Sequence, residues 1–168
     1  KNNVKPAMIS AVDLLKGIAV SSKIKNIIVK GANATLHTNY AGKANAAIEA
    51  LKTDIDFVYV HVEAPDEMGH QGNLSNKIKS IEYLDEKVIK PIYEGLKEAN
   101  VDFRMLILPD HPTPIAIRTH TSDPVPYLLY DSTIEKDGKS LYNEKVANAK
   151  GKLIREGHKM IDYLFKKA

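Results

Sequence analysis

The sequence predicts an α/β fold, a three-layer sandwich with helices packed on a largely parallel sheet. Short runs rich in β-branched and apolar residues alternate along the chain with stretches of helical periodicity. The strongest run, Ile55 to Val62, is apolar on both alternating faces except at Asp56 and His61, as expected of a central strand buried on two sides. At 168 residues, with 43% hydrophobic and 27% charged residues, the chain has the length and composition of one soluble domain spanning 1–168.

The elements follow in order. Met8 to Ser10 is a short apolar run after Pro6, and AVDLLKGIAV places Val12, Leu15, Ile18 and Ala19 at helical spacing. Ile27 to Val29 gives a second strand signal, GANATLHTN a polar connection, and Tyr40 to Leu51 an Ala-rich helix. The 55–62 strand leads into the acidic loop EAPDEMGHQGN. A long helix should follow, with Leu74, Ile78, Ile81, Leu84, Val88, Ile92 and Leu96 as its stripe. Pro91 should kink or divide that helix, because it removes a backbone donor and clashes with the preceding turn.

Phe103 to Leu108 and Val125 to Tyr130 read as further strands, with the sheet order and the direction of the second left unassigned, and DSTIEKDGKSLYNEK is polar and turn-rich. The end of the chain, GKLIREGHKMIDYLFKKA, puts Leu153, Ile154, Met160, Ile161, Leu164 and Phe165 on one helical face. Its last lysines suit a helix C-terminus.

Composition narrows the function classes. The formal charge of +3 comes from scattered lysines, without the basic blocks and interleaved aromatics of a nucleic-acid binder. No apolar run approaches the roughly 20 residues of a membrane span, and the start lacks a signal-peptide core, so a cytoplasmic protein is expected. With no cysteine present, any metal must be held by oxygen and imidazole.

Such ligands cluster in two loops. Asp66 and His70 follow the 55–62 strand, while Asp110, His111 and His120 follow the 103–108 strand within DHPTPIAIRTHTSDPVP. Loops leaving the carboxyl ends of strands line the ligand crevice of an open α/β sheet. A helical turn in the first loop would put Asp66 and His70 on one side, and Gly69 and Gly72 allow the tight backbone this needs.

Two carboxylates and three imidazoles suit Mn²⁺ or Zn²⁺, with Mg²⁺ less at ease beside histidine. Five ligands, two of them adjacent, are better used by two ions roughly 3.5–4 Å apart, the arrangement that clamps both oxygens of a phosphoryl displacement. Phosphoryl transfer or hydrolysis is the expected chemistry. Taken singly, Asp-x-x-x-His is as a rule a surface pair or helix cap, and Asp-His-Pro a turn. His61 in a strand and His158 in a helix read as structural, and His37 is left open.

ISAVDLLKGIA, TNYAGKANAAIEAL, DFVYVHVEAPDEMGHQGN and LPDHPTPIAIRTHTSDPVPYLLYDS together resemble the C-terminal part of an archaeal-type cofactor-independent (2,3-bisphosphoglycerate-independent) phosphoglycerate mutase. The resemblance covers nearly the whole chain and implies a partial alkaline-phosphatase-like fold. A related group of proposed homoserine kinases shares the pattern.

The resemblance implies that Asp66, His70 and His120 ligate one divalent ion and Asp110 and His111 a second, with Mn²⁺ preferred over Zn²⁺ or Mg²⁺. The implied reaction interconverts 3-phosphoglycerate and 2-phosphoglycerate through a phosphoserine. The family's aspartate, serine nucleophile and inserted domain have no match in the chain, so a fragment without mutase activity of its own is expected. By the same resemblance Lys16 matches a lysine near the metals, while a solvated helical lysine is its ordinary explanation. Arg118, two residues before His120, could bind the substrate phosphate. The alternatives are a metal-dependent phosphatase, a small-alcohol phosphotransferase of the homoserine-kinase kind, and a noncatalytic domain.

Overall fold

The computed structural model describes residues 4–134 and 140–165, which form two compact units. The first contains the chain through Asn100 together with Thr113–Thr119. The second contains Val101–Pro112 and the chain from His120 onward.

The first unit is built on three parallel strands, β1 (Pro6–Ile9), β2 (Lys25–Asn26) and β3 (Phe57–Val60), in the order β2-β1-β3. Between them run α1 (Asp13–Ser21) and α2 (Tyr40–Leu51). The chain steps from β1 to β2 on one side, then crosses to β3 on the other. Right-handed crossovers in opposite directions place α1 and α2 on opposite faces of the sheet. The carboxyl ends of β1 and β3 flank the resulting switch point, where such sheets bind ligands.

Two strand expectations need correction. The middle strand is β1, whose Ala7, Met8 and Ile9 are 0%, 7% and 1% exposed. The aromatic run at 55–62 instead forms an end strand of this sheet, with Tyr59 38% exposed. Bulky β-branched residues suit any pleated surface, whereas small side chains such as Ala7 suit the strand crowded on both flanks. The second strand is shorter than Ile27–Val29 and lies upstream of it, although the Ile27 amide still bonds to the Met8 carbonyl at 2.9 Å.

Asn39 caps α2 by accepting from the Gly42 amide at 2.8 Å, and Tyr40, Lys43, Ala44, Ala47 and Ile48 form its buried stripe. Beyond β3 the acidic segment is helical, forming α3 (Ala64–His70). It ends at Gly72, whose φ of +66° turns the chain into α4 (Leu74–Leu84), capped by Asn73.

The long stripe divides as Pro91 requires. Residues Asp85–Ile89 adopt a π turn with the Lys90 amide reaching Asp85, and α5 (Lys90–Glu98) follows with Pro91 in its first turn. Val88, Ile92 and Leu96 are buried, whereas Leu74, Ile78 and Ile81 are exposed. No helix among the described residues is long and apolar enough to cross a membrane.

The second unit contains β4 (Arg104–Ile107) and β5 (Leu128–Asp131), paired antiparallel, with Arg104 opposite Asp131 and their side chains 2.6 Å apart. Asn143 caps α6 (Glu144–Lys150), a missed helix that begins at the end of the polar stretch and runs beyond it; part of that stretch lies outside the described residues. The expected C-terminal helix is interrupted. Residues 151–156 are irregular, Gly157–Lys159 form a 3-10 turn, and α7 (Met160–Phe165) is short. Glycines 151 and 157 weaken helix propagation there, leaving Leu153 60% exposed. The terminal lysines lie outside the described residues.

Candidate metal centre

In the first unit, α3 starts directly beyond β3 and carries Asp66 and His70 one turn apart. Their Oδ2 and Nε2 atoms lie 3.4 Å from each other. Neighbouring groups fix both side chains. Thr113 Oγ1 donates to Asp66 Oδ1, leaving Oδ2 toward the imidazole. His70 Nδ1 lies 3.0 Å from the Arg118 carbonyl, and because a carbonyl only accepts, Nδ1 carries the proton in this bond. Nε2 then faces Asp66, and an Nδ1 held by a backbone carbonyl is the orientation that leaves Nε2 as the ligating nitrogen of a metal-bound histidine.

The segment Thr113–Thr119 that supplies these partners lies against α3 because Gly69 has no side chain. A Cβ there would come within 2.5 Å of the Thr113 carbonyl and 2.8 Å of Lys77 Nζ. Lys77 also donates to that carbonyl at 2.6 Å. The role of Gly69 is therefore close approach of a second backbone, not the tight turn expected from sequence. Gly72 supplies the turn, and the Arg118 guanidinium occupies the space a Cβ on Gly72 would need. Arg118 itself holds φ at +57°, an unfavourable value for a residue with a side chain.

In the second unit, Asp110 and His111 follow β4. Asp110 Oδ2 lies 3.2 Å from His111 Nε2, and Asp110 Oδ1 accepts the His111 amide at 3.0 Å. The His111 and His120 rings approach to 3.6 Å between centroids at 32°. Each unit thus brings one carboxylate oxygen within 3.4 Å of an imidazole nitrogen, Asp66 with His70 and Asp110 with His111, donor types that divalent ions with mixed oxygen and nitrogen ligands accept.

Lys16 on α1 pairs with Asp13 at 3.1 Å. His37 and His158 are exposed.

His61 joins a network at the carboxyl ends of β1 and β3 that sequence reading missed. Glu63 Oε1 accepts from the Ala11 amide at 3.0 Å, lies 3.3 Å from Ser10 Oγ and 3.2 Å from His61 Nδ1, while Oε2 meets Lys43 Nζ at 2.9 Å. Burial would raise the Glu63 carboxyl, but hydrogen bonds from His61 and Lys43 and the Lys43 charge outweigh it and hold it at about 2. The available signal was Lys43, a lysine inside an otherwise apolar helical stripe. Ser10, His61 and Glu63 have the composition of a nucleophilic triad without its geometry. Ser10 and Glu63 both reach Nδ1, and the serine oxygen also accepts from the Val12 amide at 3.1 Å.

Comparison with known proteins agrees with this donor chemistry. Residues 1–165 match the family model described as the Metalloenzyme superfamily. The chain is 47% identical over 161 residues to a 2,3-bisphosphoglycerate-independent phosphoglycerate mutase of Methanothrix thermoacetophila, covering 96% of this chain and 41% of the relative. For the protein of the same name from Methanosarcina acetivorans the identity is 51% over 140 residues, covering 83% and 35%. A Geobacter sulfurreducens protein named as a probable mutase of this kind is 45% identical over 159 residues, covering 94% and 39%. The chain therefore spans about two fifths of the length of these relatives.

Among solved structures, the PH0037 protein from Pyrococcus horikoshii matches with a TM-score of 0.75 at 33% identity, over 87% of this chain and 37% of that one. With its alkaline-phosphatase-like architecture and a family match over nearly its whole length, the chain belongs to the Metalloenzyme superfamily.

Proposed function

We propose that this chain supplies the metal-ligating part of a 2,3-bisphosphoglycerate-independent phosphoglycerate mutase, acting on a phosphorylated small molecule. The observation that carries this reading is the Asp66–His70 pair, oriented by Thr113 and the Arg118 carbonyl, in a chain 47% identical to a protein of that name. In this reading Asp66, His70 and His120 hold one divalent ion, and Asp110 and His111 contribute to a second. His120 lies two residues beyond Arg118, so chain connectivity keeps their Cα atoms within about 7 Å of each other. Two Mn²⁺ ions, when bound, supply charge neutralisation for phosphoryl oxygens and activation of the attacking oxygen.

The chain's own side chains orient that chemistry. Thr113 holds Asp66, the Arg118 carbonyl holds His70, and the exposed Arg118 guanidinium offers a planar donor fork to a substrate phosphate. The phosphoserine intermediate implied by the resemblance needs a nucleophile other than Ser10, whose oxygen is taken up by Val12 and Glu63. Lys16 is retained as a candidate for holding phosphoryl oxygens.

The test is to incubate the gene product carrying this chain with Mn²⁺ and 3-phosphoglycerate. Formation of 2-phosphoglycerate is expected. Release of inorganic phosphate without isomerised product would replace the mutase by a phosphatase, and phosphorylation of an added small alcohol would replace it by a phosphotransferase.

A further inference from the structure

Lys43 is 0% exposed, yet it lies on the stripe of α2 that packs beneath the sheet. Its ammonium donates to the His61 carbonyl at 2.6 Å and to Glu63 Oε2 at 2.9 Å. Through Oε1, Glu63 reaches the Ala11 amide, Ser10 and His61. One buried ion pair therefore joins α2, the end of β1 and the end of β3. Burying two charges costs about as much as their attraction returns, so such a pair is a weak source of net stability. Its consequence lies in the geometry it imposes.

That geometry leads to Asp66. The backbone carbonyl of Glu63 accepts the Asp66 amide at 3.0 Å and the Glu67 amide at 3.1 Å, the first hydrogen bonds of α3. The residue whose side chain is locked in the buried network is thus the residue from which the ligand-bearing helix starts. Glu63 has no side-chain capping bond to α3, so its carboxylate is committed wholly to the network.

We infer that the buried Lys43–Glu63 pair is a positioning element, which anchors the first turn of α3 and so presets Asp66 and His70 for a divalent ion. The inference rests on the metal reading above. Lys43 and Glu63 act through α3, and neither is placed among the ligands.

Two variants separate this role from simple core support. Lys43→Met/Glu63→Gln removes both charges together and leaves no lone buried ion. Glu63→Asp keeps the charge and shortens its reach. Circular dichroism fixes a temperature at which wild type and variants are fully folded. At that temperature Mn²⁺ affinity is measured by calorimetry, and amide exchange is measured without metal.

The expected result is Mn²⁺ binding weakened about tenfold or more, the size typical of lost partners behind metal ligands. The Asp66 and Glu67 amides should also exchange about tenfold faster, with the amides of α2 unchanged. Folded variants with wild-type affinity and wild-type exchange would overturn the positioning role alone. A wild-type chain that binds no Mn²⁺ would overturn the metal reading and this inference with it.

Discussion

His70 Nδ1 lies 3.0 Å from the backbone carbonyl of Arg118, a residue that reaches this position with its backbone in the left-handed region at φ +57°. The carbonyl orients the imidazole, while the guanidinium extends over Gly72. One residue therefore offers a backbone group to His70 and a side chain to solvent, and the two roles can be separated by mutation.

Arg118→Ala keeps the carbonyl and removes the guanidinium. Calorimetric titration should give a Mn²⁺ affinity within about twofold of wild type, since the backbone partner of His70 survives. In the proposed mutase the same substitution should raise KM for phosphoglycerate. Arg118→Gly should in addition raise stability by about 1 kcal/mol in thermal unfolding, by relieving the left-handed backbone.

Gly69→Ala should push the Thr113 segment away from α3, because its Cβ would meet a backbone carbonyl that cannot rotate aside. Overpacking of this kind costs about 1–3 kcal/mol. Denaturant unfolding should show that loss, and if the proposed metal site is correct Mn²⁺ binding should weaken with it, because Thr113 and Arg118 hold Asp66 and His70. An unchanged midpoint would mean that the segment shifts without cost.

Glu63 makes stability depend on acid pH. Its folded carboxyl titrates at about 2, below the usual value of 4.5, so the unfolded chain binds the proton more readily. The stabilisation is fully present above about pH 5 and is lost as pH falls from there through 2, amounting to on the order of 3 kcal/mol. Urea unfolding at a series of pH values should show this decline, and it should be smaller in the Lys43→Met/Glu63→Gln variant.

The Tyr40 hydroxyl is buried without a hydrogen-bond partner among the described residues, and burial pushes its ionisation up to about 12. Its ring packs edge-on against Tyr83 at 5.7 Å between centroids. Tyr40→Phe retains that contact and removes the unsatisfied hydroxyl. It should leave stability unchanged or raise it by about 1 kcal/mol. A loss of 2 kcal/mol or more would reveal a partner for the hydroxyl.

Local patterns and global placement differed in how far sequence revealed them. The bounds of α2 and the interruption at Pro91 were readable, because alanine-rich periodicity and a missing amide act on the chain locally. The pairing of Asp66 with His70 was readable too, since four-residue spacing brings side chains together once α3 forms. The rank of β3 in the sheet was not, because a strand's own side chains do not identify its neighbours. Neither was the Lys43–Glu63 pair, whose members sit 20 residues apart and meet only after β3 is laid beside β1. At the C-terminus, apolar spacing suggested one helix where two glycines interrupt the path.

The most direct test is titration of the metal-free chain with Mn²⁺, followed by electron paramagnetic resonance and calorimetry, for wild type, Asp66→Ala and Asp110→Ala. The account predicts saturable binding in wild type, and a loss of about tenfold or more in affinity from Asp66→Ala, whose carboxylate is held toward His70. A smaller component of the binding should be lost from Asp110→Ala. A chain that stays folded yet binds no Mn²⁺, or binds it equally well in all three forms, would contradict the account.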